Sequence, residues 1–325
     1  NLHGNAKKKE VCLDGSKDEN VFDIMQGVSI VLLIKTGNKK LSELGVTYHK
    51  DLFGLRNDKY SCLHDTVLED ISFTKIDNAS PEYFMVPKNF SLKSKYQTNI
   101  LLSDLFCCSS VGIVTANDKK LIKNNANELL ESVKTYYDIT VDKNIVYNYL
   151  YRPFDLMKIY YDCNLIERPR EKVMKHYLLK NIGLVYKRGF PEESAVPCHV
   201  VNSISDFRSW SRPGMQGGDF SAPLFTYDNT IDGLVCTPNL KSEIVAEISE
   251  KLGLPFAPDS DGGTTESFAP IDLLDYIYAV LHSPKYRETY KEFLKIDFPR
   301  VPYPTDTEMF WKMVKLGGEI RKLHL

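Results

Sequence analysis

The spacing of apolar residues predicts a chain that combines strands with helices. Residues 20–37 (NVFDIMQGVSIVLLIKTG) join β-branched residues with leucine, which is typical of a buried strand in an α/β sheet. Residues 46–53 alternate as a following strand would. Further strand patterns occupy 111–115, 144–150, 157–161, 182–188, 196–201 and 222–227. The chain is therefore predicted to be neither all-α nor all-β.

Two helices are predicted between these strands. Asn117 or Asp118 is expected to cap the first, whose apolar face runs from Leu121 to Val133. The second is expected to be capped by Asn239 and to stop at Gly253, since glycine commonly ends helices.

The C-terminal sixty residues carry helix signals throughout. Residues 270–282 (PIDLLDYIYAVLH) are apolar nearly all round, which predicts a buried helix. Ser283 and Pro284 are expected to start the next helix as N-cap and first residue. Thr305 and Glu308 predict a capping box for a third.

Polar stretches indicate where the chain passes between units. From Asp70 to Asn99 the segments SPEY and VPKNF interrupt any periodicity, which predicts a connection between two units. Residues 255–270 are rich in Gly, Pro and Ser and are predicted to form a flexible loop.

Composition narrows the class of protein. The 325 residues have a net charge of −2, which excludes a polybasic protein that binds by charge alone. The longest apolar run, 28–34 apart from Ser29, is far shorter than the roughly 20 residues of a membrane helix. Seven cysteines without a CxxC or nearby histidines indicate reduced thiols in a cytosol and no structural zinc. Since Asn1 is preceded by neither Met nor an apolar leader, we expect a piece of a longer polypeptide.

Basic charge is concentrated in residues 151–188. This segment holds nine Lys or Arg and four Asp or Glu, a local excess of +5. Guanidinium and ammonium groups suit phosphates and guanine edges, and tyrosines suit sugar or base stacking. A helix predicted over 171–180 could also direct its N-terminal amides at a phosphate. The predicted nucleic-acid contacts here are Arg152, Lys158, Tyr160, Tyr161, Arg168, Arg170, Lys172, Lys175 and Arg188.

The same segment has a purely structural interpretation. Arg152 and Asp155 could form a local ion pair, Tyr160 and Tyr161 could alternate between core and solvent, and the lysines could form a solvated face. Charge pattern alone leaves both interpretations open.

A second candidate site is the glycine-containing segment 206–220. It contains Arg208, Trp210, Arg212 and Gln216, which could stack on or hydrogen-bond to nucleic acid. A Trp on a polar loop is also typical of a packing anchor. The glycines do not form a phosphate loop, because no strand precedes them and no GK[ST] follows.

No catalytic signature is present. The sequence lacks G-x-S-x-G, H-E-x-x-H, kinase and Walker motifs, and no paired-carboxylate motif occurs. We therefore expect no catalytic residue and no metal site in this chain.

Several runs resemble a known family in its own order. They are LHGN, DENVFDIMQGVSIVLLIK, YRPFD, IYYD, IERPR, VMKH, NIGLVYKR and DYIYAVLHSPKYRETYKEFLKIDFPRVPYP. They span most of the chain and resemble the C-terminal third of type ISP restriction-modification enzymes and related single-chain N6-adenine DNA methyltransferase-endonucleases.

The resemblance implies an α+β (mixed) fold. It implies a remnant of the C-terminal strands of a Rossmann-like methyltransferase sheet, then a mixed α/β target-recognition domain with a helical C-terminal end. The corresponding divisions are 1–69, 70–265 and 266–325. In such enzymes a nuclease and a motor precede an S-adenosylmethionine-dependent methyltransferase, and target recognition comes last. Double-stranded DNA and the upstream domains are the implied partners, in the cytoplasm and away from membranes.

The chain departs from the family pattern at the catalytic motifs. A Gly-rich cofactor loop and the tetrapeptide Asn-Pro-Pro-Tyr are absent, which places catalysis upstream of Asn1. No cofactor is expected here, while S-adenosylmethionine, ATP and Mg²⁺ are expected for the parent enzyme. Phe22 is the candidate for the aromatic residue that stacks on a flipped base, with a core phenylalanine as the alternative role.

Two hypotheses follow. In the first, the chain recognises the DNA sequence and positions an adenine for methylation by an upstream domain. In the second, it is a docking scaffold for the methyltransferase and motor domains, with weak DNA contact. Motifs shared by enzymes with different targets cannot encode each target, so RPFD, IYYD and IERPR are expected to clamp the backbone. Base recognition is then expected in less family-like loops such as 206–220.

Overall fold

The structure, a computed structural model, divides the chain into two compact units, residues 1–90 and 91–325. It describes residues 1–40, 42–76, 80, 83–88, 91–190, 196–211, 215–231, 233–259, 262–264 and 266–325. The boundary between the units lies in the polar segment 70–99, while the division into three domains stays a prediction. Among the described residues, no helix has the length and apolar character needed to cross a bilayer.

The first unit contains little regular structure. Its elements are β1 (Thr47–His49), α1 (Arg56–Asp65) and β2 (Thr74–Ile76), with 3₁₀ turns at Ala6–Lys8 and Leu68–Asp70. β1 lies within the predicted strand 46–53 and pairs antiparallel with β2.

A buried ion pair organises this unit. Asp18 lies 2.7 Å from the ammonium of Lys59, and neither side chain is exposed. The Asp18 carboxylate also accepts from the backbone N–H groups of Gly4 at 2.6 Å and Gly54 at 2.9 Å. One carboxylate therefore ties three separate segments of the unit together.

The prediction of a buried strand over residues 20–37 is wrong. The side chains from Ile30 to Ile34 are 56–84% exposed, and the segment is not assigned to a strand. Its one backbone bridge, among the residues that the structure describes, joins Val28 to His3. A strand requires a neighbouring strand for its backbone hydrogen bonds, and the described part of this unit places none beside residues 29–37.

The second unit is a mixed α/β arrangement. In chain order its elements are α2 (Lys93–Gln97), β3 (Ile100–Leu101), α3 (Leu102–Leu105), β4 (Ser110–Val111), α4 (Asp118–Leu121), β5 (Ile122–Lys123), α5 (Ala126–Tyr137), β6 (Val146–Arg152), β7 (Asp155–Tyr160), α6 (Glu171–Met174), β8 (Gly183–Tyr186), β9 (Cys198–Val201), β10 (Ile204–Ser205), β11 (Phe220–Pro223), β12 (Phe225–Thr230), β13 (Gly233–Pro238), α7 (Ser242–Leu252), α8 (Pro270–His282), α9 (Pro284–Leu294), β14 (Arg300–Val301) and α10 (Thr307–His324). The mixed fold class predicted from the sequence is confirmed.

The strands of this unit form small sheets. Their orders are β10-β6-β7-β5, β4-β11-β8-β9, β12-β13 and β14-β3, and every pair is antiparallel except β6 with β10. The strands predicted at 144–150, 157–161, 182–188 and 196–201 are confirmed as β6, β7, β8 and β9. The pattern at 222–227 falls on two strands, β11 and β12.

The helix predicted from Asn117 is two helices, α4 and α5. Between them Ile122 pairs with Ile159 of β7, so the chain joins the sheet before it turns helical again. Asn125 caps α5, because its side-chain oxygen accepts from the Glu128 N–H at 2.8 Å. The apolar residues keep their helical spacing across β5, so the periodicity alone could not reveal the break between the two helices.

The C-terminal helices form largely as predicted. α8 is buried along almost its whole length, and Ser283 accepts from the Tyr286 N–H at 3.4 Å as the N-cap of α9. α10 is capped by Asp306 rather than Thr305, since its carboxylate accepts from the Met309 N–H at 2.8 Å. α7 begins after Lys241.

Asn239, predicted to cap α7, has another role. Its side chain accepts from the Cys108 N–H and donates to the Cys108 and Pro223 carbonyls, each at 2.7 Å. It therefore links the chain before β4 to the end of β11.

Close contact between α8 and α10 depends on Gly317. A Cβ there would lie 1.9 Å from the Asp275 carbonyl oxygen. We expect Gly317→Ala to lower the free energy of unfolding by about 1–3 kcal/mol through overpacking. Urea denaturation measures this, with Gly45→Ala as the control because its Cβ would meet open space. Equal stability of the two variants would show that the helices separate without cost.

Candidate nucleic-acid interface

Backbone hydrogen bonds join the segments that carry the predicted contacts. The Ile113 N–H donates to Ser205 at 2.9 Å, and the Phe207 N–H donates to Ile113 at 2.9 Å. The next residue, Val114, exchanges hydrogen bonds with Arg168 at 3.0 and 3.2 Å. The chain at 113–114 therefore holds the region of Arg168 on one side and the region of Arg208 on the other.

Asp206 organises the centre of this frame. Its carboxylate accepts from the Tyr149 hydroxyl at 2.7 Å, the Arg208 N–H at 2.8 Å and the Arg152 guanidinium at 2.8 Å. Burial raises the pKa of Asp206, and these donors oppose that shift. Gly112 packs directly beneath it, where a Cβ would lie 2.2 Å from the Asp206 carbonyl oxygen.

A second buried carboxylate, Asp219, shapes the segment 206–220. It accepts from the Trp210 N–H at 2.8 Å, the Ser211 N–H at 2.7 Å and the Ser211 hydroxyl at 2.6 Å. The buried ammonium of Lys187 lies 3.4 Å away and also donates to the Gly217 carbonyl at 3.0 Å. These contacts pin the described ends of the loop, in which Gln216 and Gly217 are exposed.

The segment before α6 presents cations from an irregular backbone. Arg168 is exposed, with its guanidinium 3.3 Å from Glu167. Arg170 has φ = 53°, and its carbonyl accepts from the Val173 and Met174 N–H groups. The guanidinium Nε of Arg170 is buried and has no hydrogen-bond partner in the part of the chain that the structure describes. A non-glycine residue held in this conformation is a feature that often occurs at functional sites.

The helix predicted over 171–180 is shorter than expected. α6 covers Glu171–Met174 and continues as a 3₁₀ turn over Lys175–Tyr177. His176 and Tyr177 of this turn are buried, so part of the segment predicted as a helix packs inside the unit. Four residues are too few for the N-terminal phosphate site that the sequence suggested.

Three predicted contact residues are buried, which corrects their assignment. Tyr160 and Tyr161 lie in the core, where the Tyr161 hydroxyl donates to the Pro169 carbonyl at 2.8 Å. The Trp210 ring stacks on His199 with centroids 4.5 Å apart, and its indole N–H donates to Val196 at 2.8 Å. In this conformation none of these three rings is accessible to a base, so their structural interpretation is the correct one.

The remaining predicted contacts lie at or near the surface. Arg152, Lys158 and Arg170 are half-buried, whereas the exposed ones are Arg168, Lys172, Lys175, Arg188, Arg208 and Gln216. Arg212 lies outside the described residues. Phe22, in the first unit, is 58% exposed rather than a core residue of that unit.

These cations form ion pairs with different parts of the second unit. Arg152 bonds to Asp206 and not to Asp155, so the predicted local ion pair is replaced by one with the 206–220 segment. Lys175 lies 3.2 Å from Asp228 of β12. Arg188 instead lies 3.0 Å from Asp297, in the turn after α9, and thus points to a different part of the unit.

The sequence analysis did not predict the hairpin of β12 and β13. It extends from the chain beside α6, and its strands are largely exposed. The sequence does contain a signal for it, because Asp-Gly at 232–233 lies between two β-prone runs, a combination typical of hairpin turns.

Solved structures share the fold of the whole chain. One is a cryo-electron microscopy structure of a DrdV–DNA complex, with 20% identity, a TM-score of 0.70 and 34% of that chain covered. A second is the ATP-dependent Type ISP restriction-modification enzyme LlaBIII bound to DNA, with 20% identity, a TM-score of 0.70 and 23% covered. A third is a nuclease-deletion mutant of the Type ISP restriction-modification enzyme LlaGI in complex with a DNA substrate mimic. It has 19% identity and a TM-score of 0.65, with 32% of that chain covered.

The chain thus spans between 23% and 34% of the length of these proteins. A comparison with curated proteins found no match. A family model described as the Type ISP C-terminal specificity domain matches residues 131–325, more than half of the chain. The resemblance inferred from the sequence is therefore confirmed, and the chain belongs to the family of Type ISP C-terminal specificity domains.

Proposed function

We propose that this chain recognises the DNA target of a multidomain restriction-modification enzyme. The observation that carries the proposal is the frame at 113–114, which holds the exposed cations near Arg168 and the exposed loop near Arg208 in one unit. The family assignment supports a role in specificity, and the similar solved structures are those of proteins bound to DNA.

The proposed contacts divide by chemistry. Arg168, Lys172 and Lys175 are exposed cations on one stretch of chain and would bind phosphates, which positions the duplex without reporting its sequence. Arg208 and Gln216 lie on the exposed part of the 206–220 loop and could hydrogen-bond to base edges. Buried contacts of Asp219 and Lys187 hold Trp210, Ser211 and Gly217, so these described parts of the loop would be positioned before DNA arrives.

The finer role that we propose is in adenine methylation. Recognition by this chain would hold the duplex so that an upstream catalytic domain can take the target adenine out of the helix for N6 methylation. S-adenosylmethionine, ATP and Mg²⁺ would serve those upstream domains. In this chain, Phe22 has the exposure needed for an aromatic that stacks on the displaced base.

Binding across a salt series tests the proposal. We expect the full-length enzyme to bind its target duplex with an affinity that falls steeply with salt, with a log-log slope of about −0.9 per neutralised phosphate. Fluorescence anisotropy with target and scrambled duplexes measures both the slope and the preference. An almost flat salt dependence, or equal affinity for the two duplexes, would contradict target recognition.

A docking scaffold is the second candidate function, and one observation favours it. The apolar residues from Ile30 to Ile34 are exposed in the first unit, and an extended apolar segment of this kind suits a partner domain. A docking role alone predicts that changing Arg168, Lys172 and Lys175 to glutamine leaves the salt slope of the full-length enzyme unchanged, so this variant separates the two candidates.

A further inference from the structure

The hairpin of β12 and β13 stands apart from the other sheets of its unit. Its strands pair with each other in register from Phe225–Pro238 to Thr230–Gly233 and form a sheet of their own. Six residues a strand give a ribbon of about 20 Å. None of its side chains belongs to the buried apolar core of the described residues. Apolar packing among the described residues therefore does not explain the side chains on its outer half.

The base of the ribbon is firmly attached. The Tyr227 N–H donates to His176 Nδ1 at 3.0 Å, and the Asn181 side chain donates to the Phe225 carbonyl at 2.8 Å and accepts from its N–H at 3.3 Å. Burial, aided by Lys175, lowers the pKa of His176, which favours the neutral ring that can accept this bond. A two-stranded ribbon is marginally stable alone, so these bonds give it a fixed direction.

The outer half of the ribbon carries groups suited to base edges. Asn229 faces Leu234 across the strands, and an asparagine amide can bond to the N6 and N7 atoms of adenine. Ile231 at the turn is fully exposed, while Leu234 and Val235 are 57% and 44% exposed. Exposed aliphatic groups beside an amide can contact thymine methyl groups, which line the major groove.

Positive charge lies beside the base of the ribbon, at the opposite end from Ile231. Lys172, Lys175 and Lys180 are exposed on the chain to which the ribbon is attached, and Lys175 reaches Asp228, opposite Val235 near the middle of the ribbon, at 3.2 Å. The major groove, about 12 Å wide, admits a two-stranded ribbon without deformation, whereas the minor groove of regular duplex is only about 6 Å wide. A ribbon lying in the major groove would bring these lysines towards the phosphates that border it.

We propose that the β12–β13 hairpin enters the major groove of the target duplex and that Asn229, Ile231 and Leu234 contact base edges there. The inference rests on the proposed function, since it names the element that recognises bases within that function. It assigns base recognition to the hairpin in addition to the 206–220 loop.

Sequence preference of hairpin variants tests the inference. We compare Asn229→Ala and Leu234→Ala in the full-length enzyme, selecting bound duplexes from a pool randomised across the target. Each variant is expected to lose roughly 10-fold to 100-fold of its discrimination at one or two adjacent base pairs. The affinity of each variant for unrelated duplex should stay within about two-fold of the parent value, because the phosphate contacts remain. The salt slope of that binding should also stay close to the slope of the parent enzyme. Asn127→Ala on α5 and Met309→Ala on α10 remove equivalent exposed side chains and should keep the parent preference.

The outcomes separate this inference from the proposed function. If both hairpin variants keep the full preference while the parent enzyme binds its target with a steep salt slope, the hairpin does not contact bases, and target recognition stands. If they lose target and unrelated duplex equally, with unchanged thermal unfolding, the hairpin binds phosphates and the inference fails. If the parent enzyme binds no duplex, both proposals fail.

Discussion

Replacing Asp219 by alanine is expected to lower the free energy of unfolding by about 3–5 kcal/mol. The substitution leaves the buried Lys187 ammonium without its counter-charge and removes the acceptor for three donors of Trp210 and Ser211. A buried charge that loses its partner is far more costly than an exposed one. Because the same carboxylate pins the 206–220 loop, target preference should weaken along with stability.

Tryptophan fluorescence measures this effect directly. The chain has two tryptophans, Trp210 and Trp311, so Trp311→Phe leaves a probe within the loop itself. Urea denaturation of Asp219→Ala in that background reports both the midpoint and the exposure of Trp210. Removing the cation as well, with Lys187→Met, should recover part of the loss, since the uncompensated charge is gone.

Asp297→Ala is the control for a carboxylate paired at the surface. Both side chains of the Asp297–Arg188 ion pair are exposed, so the variant should lose less than about 1 kcal/mol of its free energy of unfolding. If Asp219→Ala proved no more costly than this control, the buried network would not support the loop, and our account of its geometry would be wrong.

The second large effect is expected in DNA affinity. Changing Arg168, Lys172 and Lys175 to glutamine together should reduce the magnitude of the salt slope by about 3 and lower affinity roughly 100-fold near 0.1 M salt. The loss should be the same for target and unrelated duplexes, because phosphates carry no sequence information. Anisotropy titrations at several salt concentrations measure the slope and the affinity.

A matched set of charges provides the control. Lys285, Lys312 and Lys315 are exposed on α9 and α10, so their replacement by glutamine changes the net charge equally at another surface. That variant should keep nearly the parent slope. Equal slopes for the two triple variants would mean that charge acts at long range and that no phosphate site lies near α6.

Local signals accounted for the C-terminal helices but not for the first strand. Ser283 and Pro284 specify the start of α9 by hydrogen bonding and backbone geometry that involve only neighbouring residues. Residues 20–37 have the composition of a buried strand, yet a strand also needs a partner elsewhere in a fold. Composition contains no information about that partner, which explains why the pattern and the structure disagree.

The exposed cations of the candidate site were predictable as a region but not residue by residue. Basic charge in 151–188 correctly marks where exposed cations lie, because charged side chains are rarely buried unpaired. It could not show that Tyr160 and Tyr161 face the core. Nor could it show that Lys175 meets Asp228, 53 residues further along the chain. Such contacts depend on how the sheets are assembled, and sequence separation hides them.

If the β12–β13 hairpin contacts bases, as proposed, its separate pairing would also affect how target preference can change. Substitutions of exposed side chains such as those on the outer half of the hairpin usually alter the free energy of unfolding by no more than about 0.5 kcal/mol, because they disturb no packed interior. New side chains on the outer ribbon could therefore be tried by mutation while Asn181 and His176 keep its base in place. An enzyme built in this way could acquire new target sequences in small steps, without first losing the ability to fold.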